Sequence, residues 1–141
     1  METAPASGTP PLEVVKTLYA AFERRDVPTI ASLLSSKALI CQSPTVPWGG
    51  TYEGLEGFAR FFTLLTQHLD SKVKFERFID AGEHIVAIGH TYGTVHANGC
   101  PFDAPIAHVW KIEGGKVAAF FPYLDIPTMQ KSLRGEVEVS G

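Results

Sequence analysis

Three runs rich in β-branched and aromatic residues, punctuated by Gly and Asn, leave the second half of this chain little choice but a meander of antiparallel strands. The runs are His84 to Val95, Phe102 to Ile112 and Lys116 to Leu124; the breaks are Ala97-Asn98-Gly99 and Glu113-Gly114-Gly115. Gly and Asn reach positive φ at little cost, so both breaks read as hairpin turns. A sheet of this length needs cover on one face, and the N-terminal half must supply it.

That half carries helical periodicity. Leu12, Val15, Leu18, Tyr19 and Phe22 recur at helical spacing over Leu12 to Glu23, with Lys16 and Glu23 opposite. Asp26 is placed to cap a second, short helix with Pro28 in its first turn and Ile30, Leu33 and Leu34 as its apolar face. Ala38 to Gln42 reads as a brief strand. Pro44 to Gly54 holds too many Pro and Gly residues for regular structure, yet includes Trp48 and Tyr52, which suggests a loop folded over something apolar. Leu55 to Leu69 is a third helix, with Leu55, Phe58, Phe62 and Leu65 on one stripe and Phe61 and Leu64 beside it. Val73 to Ile79 is a further strand, and Asp125-Ile126-Pro127-Thr128 opens a short C-terminal helix ending at Leu133. Helices at one end and strands at the other predict an α+β fold, a curved antiparallel sheet wrapped over three N-terminal helices, with a pocket between the layers. The boundaries are a disordered tail at 1–11, one domain at 12–134 and a C-terminal tail at 135–141.

Composition narrows the function classes. A net charge of −3 across 141 residues, with scattered Lys and Arg, gives no footprint for nucleic acid or an anionic membrane. No apolar run approaches the roughly 18 residues of a membrane span. The first eleven residues lack the apolar core of a signal peptide, and Cys41 and Cys100 have no metal-site spacing, so a cytoplasmic protein without metal or cofactor is expected.

Four motifs carry a resemblance. They are Val14 to Phe22 ending at Asp26; Pro47-Trp48-Gly49-Gly50-Thr51-Tyr52-Glu53-Gly54; Ala107-His108-Val109-Trp110 followed by Gly115-Lys116-Val117; and Tyr123-Leu124-Asp125. Over roughly residues 11–134 the chain resembles the SnoaL-like branch of the NTF2-like superfamily, which includes polyketide cyclases, ketosteroid isomerases and limonene epoxide hydrolases. The resemblance implies a cone-shaped fold, a homodimer, and proton-transfer chemistry of isomerase, cyclase or hydrolase type on a hydrophobic oxygenated substrate. One scaffold hosts many reactions, so a non-catalytic domain for ligand binding or dimerisation is the alternative.

Position by position, the isomerase general-base Asp falls on Gln42-Ser43, and the hydrolase Arg and Asp pair falls on His90 and Tyr92. The oxyanion-binding Asp, or cyclase His, falls on His108, while the acidic residue of the last strand falls on Pro122. The candidate catalytic set is therefore His108, His90, Tyr92 and Gln42, and the candidate ligand-binding set is Trp48, Tyr52, Phe58, Phe62, Trp110 and Leu18. Alternation puts Ile106, His108 and Trp110 on one face of their strand. A pocket histidine there can act as acid, base or hydrogen-bond donor; a core histidine satisfied by a backbone carbonyl or a neighbouring Tyr fits the same pattern. If the strands of His90 and His108 lie side by side, the two imidazoles could meet and hold one another's pKa down. The alternate residues Ala107, Val109 and Ala87 offer an apolar outer face for a second copy. Asp125 reads as a helix cap rather than a catalyst.

Overall fold

A computed structural model describes residues 9–136. The tails expected at 1–11 and 135–141 fall largely outside these residues, although Pro11 already belongs to the first helix. Helix α1 (Pro11–Arg24) starts on a proline whose missing N–H costs nothing in the first turn, and it buries Val14, Val15, Leu18 and Ala21. Helix α2 (Val27–Leu33) begins at Asp26, whose carboxylate accepts from the Thr29 N–H at 3.3 Å. Strand β1 (Leu34–Gln42) follows directly.

A short strand, β2 (Gly50–Glu53), pairs antiparallel with β1, Ile40 facing Tyr52 and Gln42 facing Gly50. The sequence reading missed it because Pro44, Pro47, Gly49 and Gly50 mask so short a run. Trp48 and Tyr52 do fold inward, at 2% and 8% exposure, and the Tyr52 hydroxyl donates to the carbonyls of Trp48 and Gly49. Helix α3 (Gly54–His68) buries Gly57, Phe58 and Phe61, while Leu55 is 44% exposed; its core stripe is rotated from the expected one. Strands β3 (Leu69–Ala81), β4 (His84–Val95), β5 (Pro101–Glu113) and β6 (Lys116–Leu124) form the meander, and α4 (Ile126–Leu133) closes the chain. Asp125 caps α4, accepting from the Thr128 N–H at 3.2 Å.

The six strands lie in the order β2-β1-β6-β5-β4-β3, all neighbours antiparallel except β1 and β6, which run parallel. Register shifts interrupt the ladders between Phe75 and Arg77 and between Lys111 and Ile112, and such irregularities bend a sheet. The helices cover the concave side. At the β3 bend, β4 carries Gly89: a Cβ there would sit 2.0 Å from the Lys74 carbonyl oxygen. Glycine is required by close backbone approach.

Gly89→Ala is therefore expected to lower stability by about 2–3 kcal/mol, seen as a lower urea midpoint at unchanged slope. A midpoint matching the parent protein would show that the backbone yields at that bend.

Candidate ligand-binding site

Strand register decides which polar groups reach the concave side. On β5, Trp110 faces Ile85 of β4 and Phe120 of β6; two residues back, His108 faces Ala87 and Pro122. Both side chains point toward α1, where Tyr19 meets them. The Trp110 Nε1–H donates to the Tyr19 oxygen at 2.7 Å, and the same oxygen lies 2.8 Å from His108 Nδ1. An indole N–H can only donate. The arrangement that satisfies every atom has the Tyr19 O–H donating to Nδ1, which places the imidazole proton on Nε2.

Aromatic rings enclose this chain of bonds. Tyr19 lies 4.4 Å from Phe75 between ring centroids, His108 lies 5.1 Å from Phe120, and Trp110 stacks on Phe120 at 3.8 Å. Burial among them disfavours the imidazolium and pushes the His108 pKa down to about 3. Burial likewise pushes the Tyr19 hydroxyl upward, opposed by the hydrogen bond from Trp110. His108 is thus a neutral imidazole through the physiological range. Its ring keeps part of its surface open, and Nε2 has no hydrogen-bond partner among the described residues.

A second open polar group shares this face of the sheet. The β1–β6 pairing ends with Ile40 against Phe120; Gln42 lies two residues further along β1 on the face of Ile40, and Pro122, two beyond Phe120, pairs with His108. Gln42 is only 6% exposed, and its side-chain amide has no partner among the described residues. An unpaired buried amide costs on the order of 1–3 kcal/mol. The Trp48 indole N–H, in the loop after β1, is buried and also has no hydrogen-bond partner among the described residues.

The other candidates go elsewhere. His90 pairs with Pro105 across β4 and β5, so it and Tyr92 project from the convex side, away from His108. The two imidazoles do not meet, because residues an odd number of positions apart in paired strands face opposite sides. His90 instead lies between Asp103, at 2.8 Å from Nδ1, and Glu76, at 3.4 Å from Nε2. Tyr92 is 39% exposed and lines a groove of about 150 Å³ with Asp70, Lys72, Gly93 and Thr94. A larger groove, about 530 Å³, runs along Ala31, Leu34, Ser35, Ser36, Leu55 and Lys116. Neither touches His108. Among the described residues no cluster of His, Cys, Asp or Glu is placed to hold a metal ion.

Of the expected ligand-binding set, Leu18, Trp48, Tyr52, Phe58 and Trp110 are packed in the core, and Phe62 is half-buried beside Phe22 and Phe58. The concave side is filled largely by rings. Ala87 belongs to this covered side at 0% exposure; the convex neighbours of Ala107 and Val109 are Ile88 and Val86. Tyr19 is the site residue that sequence reasoning missed. Its spacing marked it as part of an apolar helix face, and nothing local showed that its hydroxyl would reach Trp110 and His108.

The family model of the SnoaL-like domain matches residues 15–120. An NTF2-like protein from Burkholderia thailandensis superposes with a TM-score of 0.82 at 25% identity, over 89% of this chain and 98% of that one. A protein of ketosteroid isomerase-like fold from Catenulispora acidiphila, solved with trimethylamine, gives 0.72 at 16% identity, over 94% and 95%. A candidate polyketide cyclase from Pseudomonas putida gives 0.70 at 21% identity, over 89% and 98%. No curated protein matches the chain. The α+β cone expected from the sequence is the fold these proteins share.

The buried imidazole makes stability depend on pH in a defined window. His108 has its ordinary pKa of 6.5 when unfolded and about 3 when folded, so between these values the unfolded chain takes up a proton that the folded one refuses. Its contribution is present above pH 6.5 and lost as pH falls toward 3. Urea midpoints of the parent and of His108→Gln are expected to converge as pH drops from 8 to 4, with shared carboxylates such as Asp26 cancelling in the comparison. Parallel curves would place the imidazole in water.

Proposed function

This chain belongs to the SnoaL-like family, and we propose that it holds a small hydrophobic oxygenated molecule on the concave side of its sheet, with His108 polarising a ligand carbonyl. One observation carries this reading: the unpartnered Nε2–H of a neutral, half-buried imidazole whose other nitrogen is fixed by Tyr19. An imidazole of such low basicity is a poor general base at neutral pH, yet it remains a good hydrogen-bond donor. Donation to a carbonyl oxygen draws electron density off the carbon and acidifies the adjacent C–H bonds. That is the polarising half of an isomerase, cyclase or hydrolase reaction.

A second reading, binding without turnover, is favoured by the proton-accepting half. Where the resemblance expects carboxylates, this chain has Gln42 and Pro122, and Pro122 pairs directly with His108. Native mass spectrometry of the purified protein, with 1-tetralone as an added probe, tests the site. His108→Phe is expected to weaken tetralone binding at least tenfold, and unchanged binding overturns the role of His108. Deuterium uptake at the tetralone α-carbon separates the readings: uptake faster than in buffer alone supports the polarising enzyme, and uptake equal to buffer supports binding alone.

We also propose a homodimer in the cytoplasm. Val86, Ile88, Ala107, Val109 and Phe121 lie together on the convex face, each half-buried, with Tyr123 59% and Leu39 37% exposed at its side. Cys41 and Cys100 form no disulfide, and no helix of the described residues is long and apolar enough to cross a membrane. Light scattering behind size exclusion is expected to give twice the chain mass, and Val109→Asp to halve it. A monomer at every concentration removes the dimer.

A further inference from the structure

The groove of about 530 Å³ beside α2 is separate from His108 and opens where the sheet is irregular. Between the pairs Leu34–Val117 and Leu39–Ala119, β1 advances five residues while β6 advances two, so three extra residues of β1 leave the ladder. Ser35 and Ser36 lie in that bulge and line the groove. Gly54, at φ +72°, turns the start of α3 against the same segment, and a Cβ there would sit 3.0 Å from the Ser36 carbonyl oxygen. The next residue, Leu55, lines the groove and is 44% exposed.

The lining divides by chemistry. Ala31, Leu34 and Leu55 are apolar, and Val27, 60% exposed one turn before Ala31 on α2, extends that surface. Ser35, Ser36 and Lys116 are polar. The Lys116 amine donates to the Ser32 carbonyl at 3.1 Å, in the last turn of α2, and keeps two further N–H donors. It has no ion pair among the described residues, because Glu113, its cross-strand partner, holds its carboxylate 3.2 Å from Lys111. The Ser36 hydroxyl has no partner among the described residues; the Ser35 oxygen accepts from the Lys37 N–H at 3.3 Å and keeps its own O–H to donate. As a cation on the last turn of a helix, Lys116 has a structural role. That role does not require apolar side chains left in water along a groove beside it.

We infer that this groove is a second binding site, for a monocarboxylate carrying an apolar chain. The carboxylate meets the Lys116 amine and the two serine hydroxyls, and the chain lies between Leu55 and the wall of Ala31 and Leu34. One uncompensated cation matches one negative charge, and charge-assisted hydrogen bonds from an amine and hydroxyls are the strong kind. Small-molecule clefts commonly span about 300–1,000 Å³, a range that includes this groove. The chain would cover an exposed leucine that the fold itself leaves open.

Octanoate and 1-octanol, of equal chain length with and without the charge, test this by titration into the full ¹⁵N-labelled chain with amide shifts as readout. Octanoate is expected to give saturable shifts at Ser35, Ser36, Leu55 and Lys116, and 1-octanol to bind there roughly tenfold more weakly. Leu55→Asp suits the first turn of α3 at an exposed position, and it should weaken octanoate by a similar factor by repelling the head and removing the wall. Lys116→Gln keeps a donor for the Ser32 carbonyl while removing the charge, and should do the same. The inference is overturned by the absence of saturable shifts at these residues, by equal affinity for the alcohol, or by unchanged octanoate affinity in either variant. Octanoate shifts confined to His108 and its neighbours also overturn it, since they would put the molecule on the concave side.

Discussion

The hydrogen-bonded line from Trp110 through Tyr19 to His108 fixes more of this molecule than any other polar contact. It ties α1 to β5 across the concave side, with both links under 3 Å. With the indole donating to Tyr19, the arrangement that satisfies every atom has the Tyr19 hydroxyl donating to Nδ1, and it leaves His108 with a protonated Nε2. The rings of Phe75 and Phe120 pack around it and keep the imidazole uncharged. The same burial that holds the helix on the sheet thereby sets the chemistry of His108 Nε2, which has no hydrogen-bond partner among the described residues.

Much of the frame could be read from periodicity and local chemistry. The caps at Asp26 and Asp125, the hairpin breaks and the three long strands depend on neighbours in sequence, and the structure has them. Within β5, alternation also grouped Ile106, His108 and Trp110 correctly on one face. The antiparallel hairpins were legible too; what was not was the register between neighbouring strands. A shift of one residue in register exchanges the faces, and this is why His90 lies on the convex side and Ala87 on the concave one. Strand β2 was hidden by its prolines and glycines, and only its pairing with β1 makes it a strand. Tyr19 was visible as one more apolar position. Its hydroxyl gained meaning from residues some ninety positions away.

The departures from the family pattern make physical sense together. Placing a carboxylate at Gln42 or Pro122 would set an anion on the same face as His108, among residues such as Ile40 and Phe120 that have almost no contact with water. An anion there either takes up a proton or draws one onto the imidazole. In the second case His108 becomes an imidazolium paired with the carboxylate, and its Nε2–H is no longer free for a ligand. An amide and a proline avoid both outcomes. Gln42, Pro122 and His108 are all uncharged, and in the function proposed above only His108 and Gln42 could donate hydrogen bonds to an oxygenated molecule, since proline has no donor. Any proton that moves in such a site must travel through the ligand or a solvent molecule rather than a side-chain carboxylate.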